Sequence, residues 1–317
     1  MAALAGCIGE PFVTRIHHPS RVPVLVSVPH GGRAYDPALM AGLREGERAA
    51  LRLEDRLIDE VAGEVAAATG AGLVVARAPR AMLDLNRAPD DVDWAMIPDA
   101  TRGCAMAAIL STGGHARPHG HPSQRVRAGL GLVPRRVPGL GELWRQPLSG
   151  EVLAQRLHLL HAPYHACIAD QLARLRARWG TALLIDLHSM PPLPREEGQA
   201  PITCVIGDRF GASCGGMLVA RAYSQLSDSG WLVAHNRPYA GGYVLDRHAN
   251  PRGGIHAMQL EIDRAAYLDS RLVAPGAGFA EVVGILASLV RDLASEVASI
   301  GVPQSIIRPQ DWAEAAE

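Results

Sequence analysis

Two apolar runs in this chain each end in a histidine, a residue that can bind a metal ion or transfer a proton. The first run is 24–28, followed by Pro29 and His30, and the second is 183–187, followed by His188. Short apolar runs bounded by turn signals are typical of strands buried on both faces. Because open α/β sheets bind ligands beyond the carboxyl ends of their strands, we expect both imidazoles at such an edge.

Two histidines and one carboxylate are a common way to hold a catalytic zinc ion while leaving a coordination position for water. Glu54 and Asp55 lie in a stretch with helical periodicity, which predicts a helix over about 47–69, and either carboxylate could face inward. A buried carboxylate needs a cation as its partner. The pattern therefore indicates either a metal ligand or an ordinary ion pair at the start of a helix.

Acidic residues also interrupt two of the apolar runs, where charged groups are rare. Asp186 lies two positions before His188 and points to the same side of its strand, where it could orient an imidazole or have a structural role. A strand over 255–262 places Gln259 and Glu261 on one face, in line with Asp263. Glu261 is the candidate general base.

The elements that must position these residues alternate between strands and helices. Further elements are expected as strands over 73–76, 81–85, 202–206, 231–234 and 255–262, and as helices over 151–178, 213–226 and 279–299. This alternation predicts an α/β sheet covered by helices on both faces, and we expect one domain over residues 1–317. The segment of about 89–149 is rich in glycine, proline and arginine, which predicts a long loop that covers the site.

Composition favours a small-molecule partner. The net charge of −1 provides no basic surface for nucleic acid or anionic lipid. No apolar run approaches the roughly 18 residues of a membrane span, and the amino terminus lacks the pattern of a secretion signal. The five cysteines are scattered, as expected for reduced thiols. We expect a cytoplasmic protein that binds neither nucleic acid nor membrane, and the sequence leaves its oligomeric state open.

Six short motifs follow one another along the chain: Ser27–Gly32, Asp84–Arg87, Gly129–Arg135, Pro163–His165, Asp186–Met190 and Gln259–Ile262. In order and approximate spacing, they resemble the motifs of the N-formylglutamate amidohydrolase, or formylglutamate deformylase, family. The resemblance extends over about residues 20–300. That family is similar in fold to zinc carboxypeptidases and aspartoacylase, which implies a single three-layer domain with a mixed, largely parallel sheet.

The resemblance also implies roles for individual residues. These are one zinc ion bound by His30, Asp55 and His188, catalysis by Glu261, and substrate binding by Arg80, Asn86, Arg87 and Arg237. The motif thus favours Asp55 over Glu54 as the third metal ligand, whereas the helical wheel slightly favours Glu54. One departure is Asp246, followed by Arg247, where the deformylases usually present an arginine. It leaves open whether a contact to a substrate carboxylate has shifted or is absent.

The implied reaction is hydrolysis of N-formyl-L-glutamate to formate and glutamate, a step of amino-acid catabolism in histidine degradation. Zinc lowers the pKa of its bound water to about 7. Glu261 would accept the proton of the attacking water and return it to the departing amine. Arginines would bind the carboxylates of the substrate.

Several alternatives remain at this stage. The substrate could be another N-acyl amino acid, or the chain could be a catalytically silent binding protein of the same fold. A serine hydrolase is disfavoured because Ser213, in a Gly-x-Ser-x-Gly pattern, does not directly follow a predicted strand and is expected to cap a helix. An iron site of the oxygenase type is disfavoured because such sites usually lie in β-barrels.

Two further groups of histidines could be mistaken for metal sites. His158, His161 and His165 share a helical face without a nearby acidic ligand, so we expect them to pack or to form hydrogen bonds. The predicted loop contains a second group, which could approach the site or be solvated: His115, His119 and His121.

Overall fold

The computed structural model describes residues 4–112, 123–195, 198 and 200–301. The strands of the described chain are β1 (Phe12–Arg15), β2 (Val24–Val28), β3 (Gly72–Ala76), β4 (Arg136–Val137), β5 (Gly141–Glu142), β6 (Ala182–Met190), β7 (Cys204–Gly207), β8 (Val233–His235) and β9 (Ile255–Asp263). Strands β4 and β5 form a small hairpin, and the other strands form one sheet in the order β1-β3-β2-β6-β9-β7-β8.

The centre of this sheet is parallel. Neighbours β3, β2, β6 and β9 run in one direction, whereas β1 and β7 pair antiparallel with β3 and β9. The edge strand β8 is parallel to β7. The predicted mixed, largely parallel sheet is confirmed.

Helices cover both faces of the sheet. They are α1 (Pro37–Gly42), α2 (Gly46–Leu53), α3 (Ile58–Thr69), α4 (Arg102–Ser111), α5 (Gln124–Arg127), α6 (Gly150–Arg156), α7 (Ala162–Trp179), α8 (Gly216–Asp228), α9 (Tyr243–His248) and α10 (Phe279–Gly301). Apolar side chains of α3, α8 and α10 form one core with alternate residues of the central strands, and those of α4, α6, α7 and α9 form the other. This confirms the α/β domain with three layers.

The strand alternation brings polar side chains together on the face that α7 covers. Leu184 of β6 belongs to the core on this face, so Asp186 and His188 point to the same side. In the register of the sheet, Asp186 lies beside Ser27 of β2 and Gln259 of β9. His188 lies beside Glu261, further along the same strands.

Three of the secondary-structure predictions are wrong. The helix expected over 47–69 is divided into α2 and α3 by a turn at 54–57. Residues 81–85 form turns and irregular chain, and their apolar side chains are buried without joining the sheet. Within its described part, the segment 89–149 is not a plain loop, because it contains α4, α5 and the hairpin of β4 and β5. His115, His119 and His121 lie outside the described residues.

The interruption expected at Pro163 is confirmed. A single π-helical turn, Leu157–His161, separates α6 from α7, and Pro163 lies in the first turn of α7. Among the helices of the described chain, none combines the length and apolar character that crossing a membrane requires.

Candidate active site

His30 lies two residues beyond the end of β2, where the chain leaves the sheet through two glycines. The chain passes so close to its own backbone that a Cβ atom on Gly32 would lie 2.1 Å from the carbonyl oxygen of Ala78. Only glycine fits this approach. The Gly-Gly pair after His30 therefore has a steric reason, and it sets the direction in which the imidazole leaves the strand.

Asp55 reaches the same place because the helical stretch around it is broken. Leu57 adopts the left-handed conformation, with φ of 57°, immediately before α3 begins. This conformation is unfavourable for leucine. It allows the N–H of Asp55 to donate to the carbonyl oxygen of His30 at 3.0 Å. The turn thus ties the carboxylate to the end of β2.

The side chains of His30, Asp55 and His188 converge, with their ligand atoms within 4.8 Å of one another. Asp55 Oδ2 lies 3.0 Å from Nδ1 of His188 and 3.7 Å from Nδ1 of His30. All three side chains are buried. They form a group that can hold a metal ion.

The other ring nitrogen of each histidine is held by a second carboxylate. His30 Nε2 donates to Asp84 Oδ1 at 2.7 Å, and His188 Nε2 donates to Asp186 Oδ2 at 2.9 Å. Each Nδ1 lone pair then faces Asp55, which is itself an acceptor, so a proton or a metal ion must lie between them. Carboxylates that accept from the far nitrogen are typical of metal-binding histidines.

The charges of this group favour a cation at its centre. Burial alone would raise the pKa of Asp55, but His188 and His30 lower it well below its ordinary value. Burial alone would lower the pKa of His188, whereas Asp186 and Asp55 raise it well above its ordinary value. The donor set and its charge therefore fit a divalent metal ion.

Asp84 was not singled out by the sequence reasoning, although it belongs to one of the quoted motifs. Its second oxygen accepts from Arg80 at 2.9 Å, and Oδ1 also accepts from the N–H of Asn86. Burial alone would raise the pKa of Asp84, but Arg80 and His30 lower it well below its ordinary value. The signal in the sequence that could have identified Asp84 was an acidic residue within an apolar run, two positions before Asn86.

Glu54 points to a different partner. Its carboxylate accepts from Arg56 Nη1 at 3.0 Å, and it does not belong to the group around Asp55. Arg264, at the end of β9, donates to Asp55 Oδ1 at 3.2 Å and to Ser189 Oγ at 3.0 Å. The structure thus brings Asp55 rather than Glu54 to the histidines, and it adds an arginine that sequence reasoning missed.

Glu261 is buried beside this group. Gln259 Nε2 donates to Glu261 Oε1 at 2.8 Å, and Asn86 Nδ2 donates to Gln259 Oε1 at 3.2 Å. Burial raises the pKa of Glu261 to about 7, although the charge of His188 lowers it. A carboxylate that titrates near neutral pH can both accept and return a proton.

These groups open into one cavity of about 370 Å³. Its lining includes the three candidate metal ligands, Glu261, Tyr239 and five arginines: Arg52, Arg80, Arg87, Arg125 and Arg264. The chain has no lysine, so the cations that line this cavity beyond the histidines are guanidinium groups, which bind carboxylates through paired hydrogen bonds. The cavity can therefore accept an anionic small molecule.

The arginines of the cavity differ in how far their charge is already neutralised. Arg80 is paired with Asp84, whereas Arg87 Nε lies 4.0 Å from the nearest oxygens of both Asp84 and Asp91. Burial lowers the pKa of Arg87, and although Asp84 raises it, Arg80 and Arg125 lower it again. Arg87 is thus a cation with attraction left for a further anion.

The chain matches the family model described as N-formylglutamate amidohydrolase over residues 22–268. It belongs to this family. It is 31% identical to the N-formylglutamate deformylase of Pseudomonas aeruginosa over 290 residues, which cover 89% of this chain and 94% of that protein. It is also 31% identical to the N-formylglutamate deformylase of Pseudomonas putida over 255 residues, covering 80% and 84%. The predicted family resemblance is confirmed.

A solved structure agrees with this membership. The N-formylglutamate amidohydrolase of Ralstonia eutropha JMP134 superposes with a TM-score of 0.78 at 25% identity, covering 92% of this chain and 99% of that one. The α/β architecture described above is therefore also that of a solved member of the family.

Neither Arg237, expected to bind the substrate, nor Asp246, the departure from the family pattern, is among the described residues that line the candidate active-site cavity. Arg237 is exposed beyond β8. Asp246 pairs with Arg209 at 2.6 Å in a neighbouring cavity of about 1100 Å³. Arg247 donates to the hydroxyl of Tyr243 at 3.0 Å. Arg125, which the sequence analysis did not single out, lines both cavities.

The serine of the Gly-x-Ser-x-Gly pattern has a structural partner. Ser213 Oγ donates to the carbonyl oxygen of Ala257 at 2.9 Å. It does not cap α8, whose N-cap is Gly215. Its hydroxyl thus links the turn before α8 to β9. This structural contact gives no support to a serine nucleophile.

Proposed function

We propose that this protein hydrolyses the amide bond of N-formyl-L-glutamate to formate and L-glutamate. The observation that carries the proposal is the meeting of three groups in one cavity. They are a buried group of metal ligands, a carboxylate with a pKa of about 7 and arginines available for anions. Relatives named N-formylglutamate deformylase support the same substrate.

In this proposal, His30, Asp55 and His188 hold one zinc ion. Two imidazole nitrogens and one carboxylate oxygen are ligands that suit zinc and leave a position for water. Bound zinc would supply a water of lowered pKa and polarise the carbonyl group of the substrate. Asp84 and Asp186 orient the imidazoles by accepting their Nε2 protons.

Glu261 moves the protons of the reaction. Gln259 occupies its Oε1 atom, so Oε2 is the oxygen that accepts a proton from the attacking water. The same oxygen then returns the proton to the nitrogen of the departing amine, whose expulsion is otherwise unfavourable. A pKa of about 7 suits both transfers.

The carboxylates of the substrate would be bound by Arg87 and Arg125, which line the cavity. We assign Arg80 to positioning, because its guanidinium is paired with Asp84, the acceptor of His30. Asn86 could serve both substrate binding and positioning. It lines the cavity, and its Nδ2 donates to Gln259 and lies 3.4 Å from Nε2 of His188.

A second candidate is hydrolysis of a larger N-acyl acidic amino acid. The observation that favours it is the neighbouring cavity of about 1100 Å³, which shares Asn86, Arg87 and Arg125 with the first. A longer acyl group or amino acid would find space there. A silent binding protein of the same fold is less well supported, because the relatives that match most of this chain are named deformylases.

The test measures metal content together with release of the carboxylic acid, formate or acetate, and of the free amino acid on purified protein, before and after chelation. N-formyl-L-glutamate is compared with N-acetyl-L-glutamate, which enlarges the acyl group, and with N-formyl-L-leucine, which removes the side-chain carboxylate. Chelator-sensitive formate release that prefers N-formyl-L-glutamate supports the proposal. Preference for the acetyl compound transfers support to the second candidate, and protein that binds no zinc on reconstitution overturns the mechanism.

A further inference from the structure

Three buried histidines lie outside the metal-binding group, between α7 and α9: His161, His165 and His248. His161 Nε2 donates to the carbonyl oxygen of Arg87 at 2.9 Å, and His165 Nε2 donates to that of Leu85 at 3.0 Å. His248 Nε2 lies 2.9 Å from His165 Nδ1. The expectation that His161 and His165 form hydrogen bonds is confirmed, while His158 is exposed.

The partners of these histidines assign their protons. A carbonyl oxygen can only accept, so His161 and His165 carry a proton on Nε2. The Nδ1 atom of His165 is then an acceptor, and His248 donates to it from Nε2. Burial lowers the pKa of His161 to about 4 and that of His248 to about 3, so both are neutral at neutral pH.

The N–H groups of His161, His165 and α9 contact backbone carbonyl groups of one segment, residues 85–87. His165 holds the carbonyl of Leu85 and His161 holds that of Arg87, while the N–H of Tyr243 lies 3.4 Å from the carbonyl oxygen of Asn86. Three consecutive carbonyl groups are thus contacted by the two histidines and α9. The Asn86 carbonyl oxygen also accepts from Nη1 of Arg87 at 2.9 Å, so this backbone segment is linked directly to the guanidinium group that lines the cavity.

The beginning of α9 contacts the Asn86 side chain directly. The N–H of Val244 donates to Asn86 Oδ1 at 2.9 Å. A Cβ atom on Gly242 would lie 2.6 Å from that oxygen, so the glycine permits the contact. The ring of Tyr243 packs against His161 and His165, with centroids 5.6 and 5.1 Å apart. Helix α9, the histidines and the segment 85–87 are therefore packed as one unit.

We propose that His161, His165 and His248 are positioning residues that hold Asn86 and Arg87 in the orientation that binds a substrate carboxylate. None of the three histidines is among the described residues that line the cavity, so they act through the backbone of 85–87. The inference rests on the proposed function, because it assigns Arg87 to the substrate.

The test compares His161→Ala with His161→Gln, because the glutamine amide can donate from about the position of Nε2. Loss of one hydrogen bond that orients a charged group predicts that His161→Ala raises KM for N-formyl-L-glutamate by about ten-fold. The values of kcat and zinc content stay close to those of the wild type. His161→Gln restores most of the loss. His158→Ala, at the exposed histidine of the same helical stretch, is the matched control and leaves KM unchanged.

A double-mutant cycle separates positioning from general stability. In an Arg87→Ala background, His161→Ala should raise KM much less than it does in the wild type, because the cation whose backbone it holds is gone and only Asn86 remains to be positioned. A full additional increase in KM would overturn the inference. So would a glutamine variant as impaired as the alanine variant, or a loss of melting temperature with unchanged KM.

Hydrogen exchange provides a reading that needs no substrate. His161→Ala should accelerate exchange in the peptide that contains residues 84–88 and leave the peptide of β6 unchanged. Unchanged exchange at 84–88 overturns the inference even where turnover is normal. Wild-type protein that does not hydrolyse N-formyl-L-glutamate contradicts the proposed function, while the exchange result still decides the positioning. Should His161→Ala fail to fold, His165→Gln and His165→Asn provide the same comparison at Leu85.

Discussion

The two buried histidine groups of this protein differ in the charge of their hydrogen-bond acceptors. At the ends of β2 and β6, His30 and His188 donate to the carboxylates of Asp84 and Asp186. Between α7 and α9, His161 and His165 donate to neutral backbone carbonyl groups. Burial is similar in both groups, so the acceptors decide what each can do.

The two kinds of acceptor go with opposite shifts of the histidine pKa. Carboxylates raise the pKa of His188 well above its ordinary value, whereas burial without a carboxylate lowers that of His165 well below it. The first group favours a positive charge, which a metal ion can provide. The second remains neutral and serves as a set of donors. Changes in the first should therefore alter metal binding and kcat, and changes in the second should alter KM and the pH dependence of stability.

The largest effect on activity is expected at Glu261, the carboxylate beside His30, Asp55 and His188. Glu261→Gln keeps the shape of the side chain and removes its ability to accept a proton, so kcat should fall by about 10²–10⁴-fold. Zinc content, measured by elemental analysis, should stay at the wild-type level. Glu54→Gln is the matched control, because Glu54 is also buried but pairs with Arg56. Equal losses in the two variants would show that burial of an acid, not its position, matters.

A smaller effect is expected when only the charge of an acceptor is removed. Asp186→Asn keeps an oxygen for His188 Nε2 and an amide for Ser27, whose hydroxyl now donates to Asp186 at 2.6 Å. Zinc affinity should fall by about 10–100-fold, as for other groups that orient metal-binding histidines. A competition titration with a chromophoric chelator measures it. Asp292→Asn, which breaks an exposed ion pair with Arg221 between α10 and α8, should leave the affinity unchanged.

The same contrast explains what the sequence predicts and what it does not. His30 and His188 follow apolar runs, and strand periodicity places Glu261 on one face, so local patterns suffice for these positions. Asp55 depends on the left-handed turn at Leu57, which no apolar pattern marks. The partner of His161 is a carbonyl group 74 residues away, and only the folded chain brings it near. Local residue types thus predict the strands, and tertiary contacts determine the turns.

A comparison of Arg125 with Arg237 tests which arginine binds the substrate. Arg125 lines the cavity and Arg237 does not. Loss of a charge-assisted contact predicts that Arg125→Ala raises KM for N-formyl-L-glutamate by about ten-fold. Steady-state kinetics should show unchanged KM for Arg237→Ala. If Arg237→Ala raised KM and Arg125→Ala did not, Arg237 would have the substrate-binding role that the family resemblance implies.

An effect outside the reaction itself is expected on stability in acid. Histidines of the neutral group titrate near 6.5 when unfolded, and at about 4 for His161 and about 3 for His248 in the folded protein. Between these values the unfolded chain binds more protons, so the stability present above pH 6.5 is lost as the pH falls. Each such histidine contributes a slope of up to about 1.4 kcal/mol per pH unit.

Urea unfolding of zinc-saturated protein between pH 7 and pH 4 measures this slope. His248→Gln retains a donor for His165 Nδ1 and removes one titrating group, so its free energy of unfolding should fall less steeply than that of the wild type. Loss of zinc from the proposed site at His30 and His188 would occur in both proteins and would cancel in the comparison. An equal slope would mean that His248 is charged in the folded protein, and the distinction between the two histidine groups would then fail.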